Sequence, residues 1–196
     1  MSKDFFNQMA ENWDSYAKHD MLKAELMVSM LDIKENDKVL DVGTGTGVLI
    51  PLLMHFTAEK NITAIDEAEK MIEVAEKKYS DTEVNFICGD VLSYPFAKAS
   101  FDFIICYSMF PHFKDKVKAI EILGSYLKKG GKLAVLHSQS RDKINGVHEG
   151  ASSADIREDK LPYAHIVMGY MDHCGLREEL LIDDEDMYLI CASKLQ

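Results

Sequence analysis

No apolar run in this 196-residue sequence approaches the ~20 residues that a helix needs to cross a bilayer. Positive charge is also scarce, because 22 lysine and arginine residues stand against 33 acidic ones and leave a formal net charge of −11. This balance disfavours nucleic acid and anionic membranes as partners. Residues 1–11 are polar and mixed in charge, so we expect no signal peptide. These absences predict a cytoplasmic protein with neither nucleic acid nor a membrane as partner, and they leave its oligomeric state open.

The four cysteines have no spacing typical of a metal site. Cys88, Cys106 and Cys191 lie in apolar, strand-like runs, where small buried thiols are common. We therefore predict reduced thiols. Three of the histidines could hold a metal, but no carboxylate or cysteine stands at a fixed spacing from them, so we predict no metal site.

Strand-like and helix-like segments alternate through residues 38–137, the pattern of a parallel sheet with helices on both faces. The length suits one α/β domain over residues 1–196. We predict a three-layer fold whose seven-stranded sheet is mostly parallel with an antiparallel last strand. The predicted strands are 38–42, 62–65, 84–88, 101–107, 132–137, 176–182 and 187–193. The predicted helices are 1–18, 21–31, 48–56, 68–79, 114–127 and 162–175.

Two regions flank this alternating core. Residues 1–31 are expected to form a helical lid, although the aromatic positions of the first helix are equally consistent with a helix that packs on the core. Residues 138–175 are expected to form a substrate-side insertion and helix, with residues 138–154 either loop-like or weakly helical.

The first predicted strand runs into three alternating glycines, of which Gly43 and Gly45 are the first two. Such a turn brings backbone N–H groups close to a polar or anionic ligand. Asp41 precedes it by two residues, and the Gly-x-Gly-x-Gly spacing differs from the Gly-x-Gly-x-x-Gly fingerprint of dinucleotide sites. A carboxylate there suits a cofactor with an ammonium-bearing tail better than a pyrophosphate. A nicotinamide-dependent oxidoreductase stays as an alternative.

Ligands of parallel α/β sheets bind beyond the carboxyl ends of the strands. Asp66 ends the second predicted strand, where a carboxylate suits the hydroxyls of a ribose. Asp90 and Val91 follow the third strand and offer a carboxylate and an apolar face for an adenine. Tyr107 ends the fourth strand, and His137 ends the fifth.

Taken in order, these motifs resemble those of the class I S-adenosylmethionine-dependent methyltransferases. The resemblance covers roughly the whole chain and rests on residues 39–47, 62–66 with Met71, 86–91, 101–107 and 127–133. It implies the Rossmann-like methyltransferase fold and S-adenosylmethionine as cofactor. Residues 109–112 and the glycine turn after Leu127 are similar to the small-molecule branch that includes ubiquinone- and menaquinone-type methyltransferases. The Asp/Asn-Pro-Pro-Tyr/Phe motif is absent after the fourth strand, which argues against methylation of nucleic-acid bases.

The resemblance also implies roles for individual residues. The methionine half of the cofactor would lie against Asp41, Gly43 and Gly45, and the ribose against Asp66. The adenine and the methyl group would be bordered by four further residues: Met71, Asp90 and Val91 for the adenine, and Tyr107 for the methyl group. Tyr16 matches a tyrosine that often closes over the cofactor from the N-terminal helix.

Catalysis in this class is mainly alignment of the acceptor, with removal of a proton where the acceptor carries one. His112, His137 and His148 are the candidate bases. His112 could instead be a loop histidine that hydrogen-bonds locally, and His137 could point into the sheet. On a helix, Arg141, Asn145 and His148 would share one face and could bind the substrate. Alternatively, residues 137–148 form a solvated connector without a role in binding. We predict an S-adenosylmethionine-dependent methyltransferase acting on a small polar molecule. A non-catalytic S-adenosylmethionine-binding module is the second alternative.

Overall fold

The computed structural model describes residues 2–151 and 153–195, and the side chains of Ser2 and Asp155 lie outside the description. The strands are β1 Val39–Val42, β2 Ile62–Asp66, β3 Asn85–Cys88, β4 Phe101–Tyr107, β5 Leu127–His137, β6 Leu176–Asp183 and β7 Tyr188–Lys194. The helices are α1 Ser2–Met9, α2 Trp13–Tyr16, α3 Met21–Met30, α4 Ile50–Leu53, α5 Glu69–Lys78, α6 Lys116–Tyr126, α7 Arg141–Glu149, α8 Ala154–Glu158 and α9 Ala164–His173.

The seven strands form one sheet in the order β3-β2-β1-β4-β5-β7-β6. Neighbouring strands from β3 to β5 pair in parallel, whereas β7 runs antiparallel to both β5 and β6. After β5 the chain therefore forms the edge strand β6 and then returns as β7, which lies between β5 and β6. The predicted fold, a seven-stranded mostly parallel sheet with an antiparallel last strand, is confirmed.

Alternating residues of the central strands face two separate helical layers. Ile104 and Cys106 of β4 lie in a buried cluster with residues of α6 and α9. Phe103 and Ile105, one position away, lie in a second buried cluster with residues of α3 and α4. Because β4 is buried on both faces, its sequence is an almost continuous apolar run. The three-layer arrangement follows from this alternation.

Several helices depart from the predicted boundaries. The N-terminal segment, predicted as one helix, is broken by a 3₁₀ turn at Ala10–Asn12, where Ala10 is buried beside Met71. The segment predicted as a helix over 48–56 contains only the four-residue helix α4. Conversely, α7 is a regular helix, whose N-cap Ser140 accepts a hydrogen bond from the backbone N–H of Lys143. None of the helices formed by residues 2–151 and 153–195 has the length and apolarity that a bilayer crossing requires.

Candidate active site

The glycine turn after β1 forms the floor of the site. The backbone N–H groups of Gly43 and Thr44 both donate to the carbonyl oxygen of Ile65, at 2.8 and 3.1 Å, which ties the turn to the end of β2. Gly43 has φ +67°, and a Cβ atom there would lie 2.7 Å from the Cβ of Met109. Glycine is therefore required at this position both by backbone conformation and by close packing.

Asp41 lies beneath this turn, fully buried, and is not among the residues that line the cavity above it. Its Oδ2 accepts a hydrogen bond of 2.7 Å from the hydroxyl of Thr44. Burial raises the pKa of Asp41 to about 7, although the Thr44 hydroxyl opposes the shift. Asp41 therefore fixes the Thr44 side chain of the turn and places an ionisable group directly beneath the turn.

Asp66 stands at the end of β2 and contacts both the cavity and the turn. Its two carboxylate oxygens accept hydrogen bonds from the backbone N–H groups of Gly45 and Ala68, at 2.9 and 2.8 Å. Burial raises its pKa. The next residue, Glu67, also lines the cavity, and burial together with Asp66 and Asp90 raises its pKa. Sequence reasoning missed Glu67, although its place directly after the strand-end carboxylate was a usable signal.

The loop after β3 supplies the next wall. Asp90 accepts hydrogen bonds from the backbone N–H of Leu92 at 2.9 Å and from the hydroxyl of Ser93 at 3.1 Å, which hold its loop. Val91 and Met71 are buried apolar residues in the lining. The expected carboxylate and apolar face therefore lie side by side.

These walls enclose a cavity of about 460 Å³ beyond the carboxyl ends of β1, β2 and β4. Its volume is within the range of small-molecule sites. Eight of the predicted site residues line it: Gly43, Gly45, Asp66, Met71, Asp90, Val91, Tyr107 and His112. The glycine turn, whose Gly43 leaves no room for a Cβ, and the carboxylates fit an adenosine that carries hydroxyls, an amine and an ammonium tail.

A second cavity of about 370 Å³ adjoins the first. Five residues line both cavities: Phe6, Trp13, His19, Ser108 and His112. Phe5, Ile144, Val147 and Ile156 add apolar walls to the second cavity, and His148 adds an imidazole. Ser108, at the boundary, has φ +54°, a left-handed conformation that is strained for serine.

The N-terminal segment covers the boundary between the cavities. Asp14 accepts hydrogen bonds from the hydroxyl of Thr46 in the glycine turn and from the Nζ of Lys78, the latter at 2.8 Å. Trp13 stands over Gly45, since a Cβ on that glycine would lie 3.6 Å from its Nε1. Tyr16, the residue predicted to close over the cofactor, is 57% exposed and lines only the second cavity. Trp13, and not Tyr16, is therefore the aromatic residue over the glycine turn.

Tyr107 and His19 meet at the same boundary, with ring centroids 5.3 Å apart. The hydroxyl of Tyr107 donates to the Oγ of Ser138 at 3.0 Å. The Nε2 of His19 is buried and has no hydrogen-bond partner among the described residues, and burial lowers the pKa of this histidine. No pattern in the sequence indicated His19, which follows α2 in an irregular stretch.

Asp159 brings two of the three candidate bases together. Its Oδ2 lies 2.7 Å from Nδ1 of His112, its Oδ1 accepts from Nζ of Lys114 at 2.8 Å, and its main-chain oxygen lies 2.8 Å from Nδ1 of His148. The two imidazole rings are 5.2 Å apart. Burial alone would raise the pKa of Asp159, but hydrogen bonds from His112 and Lys114 outweigh it and lower the pKa. Sequence reasoning missed Asp159, because nothing local links it to residues so far away in the chain.

The remaining predicted residues lie elsewhere. His137 is 1% exposed, lines neither cavity and packs against the Tyr188 ring, and burial lowers its pKa to about 3. Its burial disfavours the protonated ring and it lies outside both cavities, so the structure gives no support to His137 as a base.

Arg141 and Asn145 also lie outside both cavities. The Arg141 guanidinium stacks over the ring of Tyr163 at 3.8 Å. Asn145 bonds to both the carbonyl and the N–H of Leu161, so it joins α7 to the segment before α9. Of the predicted shared face, only His148 lines the second cavity, and the other α7 residues that line it are Ile144 and Val147.

Within residues 2–151 and 153–195, no group of three or more histidine, cysteine or acidic side chains is arranged to hold a metal ion.

The sheet order, the antiparallel β7 and the glycine turn define an α/β protein of the Rossmann-like methyltransferase type. The same architecture occurs in a chain of the Haloferax volcanii complex between a methyltransferase activator and a methyltransferase. That chain is 17% identical, with a TM-score of 0.79, and the match covers 97% of this chain and 98% of that one.

Comparison of sequences gives the family. The family model described as "Methyltransferase domain" matches residues 40–135. A malonyl-[acyl-carrier protein] O-methyltransferase of Acetivibrio thermocellus is 35% identical over 66% of this chain and 46% of its own length. A demethylmenaquinone methyltransferase of Thermotoga maritima is 33% identical over 67% of this chain and 58% of its own length. The chain belongs to the class I S-adenosylmethionine-dependent methyltransferases, and it spans about half the length of the curated relatives it matches.

Proposed function

We propose that this protein transfers a methyl group from S-adenosylmethionine to a small molecule. The observation that carries the proposal is the meeting of two cavities over the glycine turn, with five residues common to both. A donor in the larger cavity and an acceptor in the smaller one would face each other at this boundary. The family match supports the identity of the donor.

The larger cavity would bind the cofactor through the groups that line it. Asp66 and Glu67 would accept hydrogen bonds from the ribose hydroxyls, and Asp90 with Val91 would hold the adenine. Gly43 and Gly45 would admit the methionine portion close to the backbone, with Asp41 favouring its ammonium from beneath. When bound, S-adenosylmethionine supplies a methyl group on a sulfonium, and the C–S bonding pair stays on sulfur as the methyl leaves.

The chain's own contribution would be alignment and exclusion of water. Phe6 and Trp13, whose rings lie 5.3 Å apart, would cover the boundary between the cavities. Residues 1–31 would then serve as the lid, and residues 138–175 would supply one wall of the acceptor cavity. Alignment of two bound reactants can contribute about 7–11 kcal/mol in favourable cases.

The lining of the second cavity bears on the acceptor. Its walls are mainly apolar, because Phe5, Ile144, Val147 and Ile156 all contribute to them. The sequence predicts a small polar acceptor, and this composition favours one with an apolar body and one polar group.

Calorimetry with S-adenosylhomocysteine and with NADH tests the proposal. We expect S-adenosylhomocysteine to bind and NADH not to bind. Mass spectrometry of acceptor mixtures incubated with S-adenosylmethionine should then detect a product heavier by one methylene unit. Binding of NADH without binding of S-adenosylhomocysteine would support the oxidoreductase alternative. Tight cofactor binding without any methylated product would support a non-catalytic binding module.

Asp66→Ala should weaken S-adenosylhomocysteine binding by about 1.5–3 kcal/mol, the range for lost hydrogen bonds to a charged group. Asp66→Asn retains an acceptor for the Gly45 N–H and should weaken binding less. Asp172→Ala, on the exposed side of α9, is the matched control and should bind like the wild type. Equal affinities for all the variants would remove Asp66 from the ribose role.

A further inference from the structure

His112, His148 and Asp159 form a cluster whose hydrogen-bond pattern determines the imidazole tautomers. A main-chain carbonyl can only accept, so Nδ1 of His148 must carry the proton that it donates to Asp159. The Asp159 carboxylate, with its pKa lowered, is likewise an acceptor for Nδ1 of His112. In the neutral form of each ring the lone pair is therefore on Nε2.

The two rings lie where their Nε2 atoms can contact a ligand. Both histidines line the second cavity, and His112 also lines the first. With each Nδ1 bonded to Asp159, Nε2 is the ring nitrogen left for a ligand. Burial lowers the pKa of His148, which keeps that ring neutral at physiological pH. His112 stands where the two cavities meet.

The charge environment of the pair comes from several elements. Asp159 and Lys114 contact His112 or its partner directly, and Lys160 acts on His148. Asp66, Glu67 and His137 also interact electrostatically with His112, and Lys116 interacts with Asp159. The Asp159 side chain is 2% exposed, so its hydrogen bond to His112 is protected from water.

We propose that Asp159 is a positioning residue that presents Nε2 of His112 as the proton acceptor of the second cavity, and that the methyl acceptor is an apolar-bodied molecule with a weakly acidic hydroxyl or thiol, of the phenol or thiophenol class. The inference rests on the proposed methyltransferase function. The apolar walls would hold the body of the acceptor, and the imidazole would receive its X–H group.

The proposed reaction transfers one proton from the acceptor to His112. The proton of the acceptor's X–H group moves to Nε2 of His112, and the electron pair of that bond stays on X, where it forms the bond to the transferred methyl group. The Asp159 carboxylate stabilises the imidazolium through the Nδ1 hydrogen bond. The imidazolium then releases its proton to water.

Nitrogen-15 NMR of the histidine side chains tests the positioning role without cofactor or turnover. Asp159→Asn can place an amide N–H opposite Nδ1 of His112, so we expect that ring to change to the Nε2–H tautomer. His148 should keep its Nδ1–H tautomer, because its partner is the main-chain oxygen of residue 159. Glu158→Gln, an exposed neighbour that loses the same charge, is the control and should change neither ring. An unchanged His112 tautomer in Asp159→Asn would overturn the proposed role of Asp159.

The protonation of a bound acceptor can be read from para-nitrophenol, whose phenolate absorbs at longer wavelength than the phenol. We expect the wild type and Glu158→Gln to bind this probe as phenolate, and Asp159→Asn to bind it as the phenol. For a methylated phenol or thiophenol, Asp159→Asn should lower kcat about 10²-fold with little change in the acceptor KM. A KM effect alone would mark Asp159 as a merely structural residue and count against the proposal.

An acceptor panel separates this inference from the function on which it rests. Phenol, thiophenol, aniline and benzoate present the same ring with different acceptor atoms. Methylation of aniline or benzoate, with phenol and thiophenol untouched, would refute the acceptor class and leave the methyltransferase function intact. Failure to bind S-adenosylhomocysteine would refute the function itself, while the tautomer measurement would still decide the role of Asp159.

Discussion

Asp41 is a carboxylate that the fold buries directly beneath a ligand turn. Its hydrogen bond from Thr44 satisfies only part of its acceptor capacity, and Asp66 lies close enough to repel its charge. The ionised form is consequently disfavoured in the folded protein without ligand. A bound ammonium group would relieve this penalty, which couples ligand binding to the ionisation of one side chain.

This penalty predicts the pH dependence of stability. The folded pKa of about 7 lies above the ordinary value of 3.8, so the folded state retains a proton that the unfolded chain loses, and wild-type stability falls as pH rises through this window. Asp41→Asn removes the effect, and its free energy of unfolding relative to wild type should rise by about 3 kcal/mol between pH 5 and pH 8. Urea denaturation at the two pH values measures it. Asp81→Asn, an exposed control, should track the wild type, and a parallel profile for Asp41→Asn would contradict the prediction.

At the scale of elements, the N-terminal segment is held to the core by a buried apolar cluster that includes Ala10 and Met71 and by a few polar contacts. Asn7 accepts from the backbone N–H of Lys70 at 2.9 Å, and Asp14 binds both Thr46 and Lys78. The aromatic side chains of this segment, Phe5, Phe6, Trp13 and Tyr16, line one or both cavities. The polar contacts are made to the glycine turn and α5 and not to a strand, and the opening of this segment as a lid stays a prediction.

Asp14→Ala should loosen this segment, because it removes both contacts to the glycine turn and α5. We expect faster tryptic cleavage after Lys18 and a two- to fivefold loss of S-adenosylhomocysteine affinity, about the value of a partly exposed charge pair. Mass spectrometry of a cleavage time course and calorimetry provide the measurements. Glu11→Ala lies in the same segment and is the control. Unchanged cleavage and affinity would show that Asp14 does not restrain the lid.

At the scale of the whole molecule, β7 completes the core. It pairs with β5 over six residues and with β6 on its other side, and it buries Tyr188, Leu189, Ile190, Cys191 and Ala192. Each large apolar side chain buried in this way contributes about 1.5–3 kcal/mol. Together they rival the 5–15 kcal/mol that is the typical total stability of a domain.

Deletion of residues 188–196 should therefore abolish cooperative folding. Thermal unfolding followed by circular dichroism should show no sharp transition, whereas deletion of residues 195–196 alone should leave the transition almost unchanged, since Leu195 is exposed. A cooperative transition near the wild-type Tm in the longer deletion would show that the β1–β5 core folds without β7.

The sequence predicted the sheet and the larger cavity well because both depend on local patterns. Alternating strands and helices predicted a parallel sheet, and that topology places Asp66, Asp90 and Tyr107 at one edge whatever the loops do. The acceptor side was predicted less well. The face shared by Arg141, Asn145 and His148 was correct as helix geometry, yet Asn145 bonds to Leu161 and Arg141 stacks on Tyr163. Helical spacing shows which residues share a face, and it does not show what that face packs against.

The sequence alone determined the fold and the position of the glycine turn, because hydrophobic periodicity and the glycine requirement act over a few residues. Only the tertiary structure decided which side chains meet at the boundary of the two cavities. His19, His112 and Asp159 are far apart in the chain, and their proximity follows from packing between the N-terminal segment, the loop after β4 and the segment between α8 and α9. Long-range contacts of this kind leave no periodic trace in a sequence, because each depends on how complete elements pack.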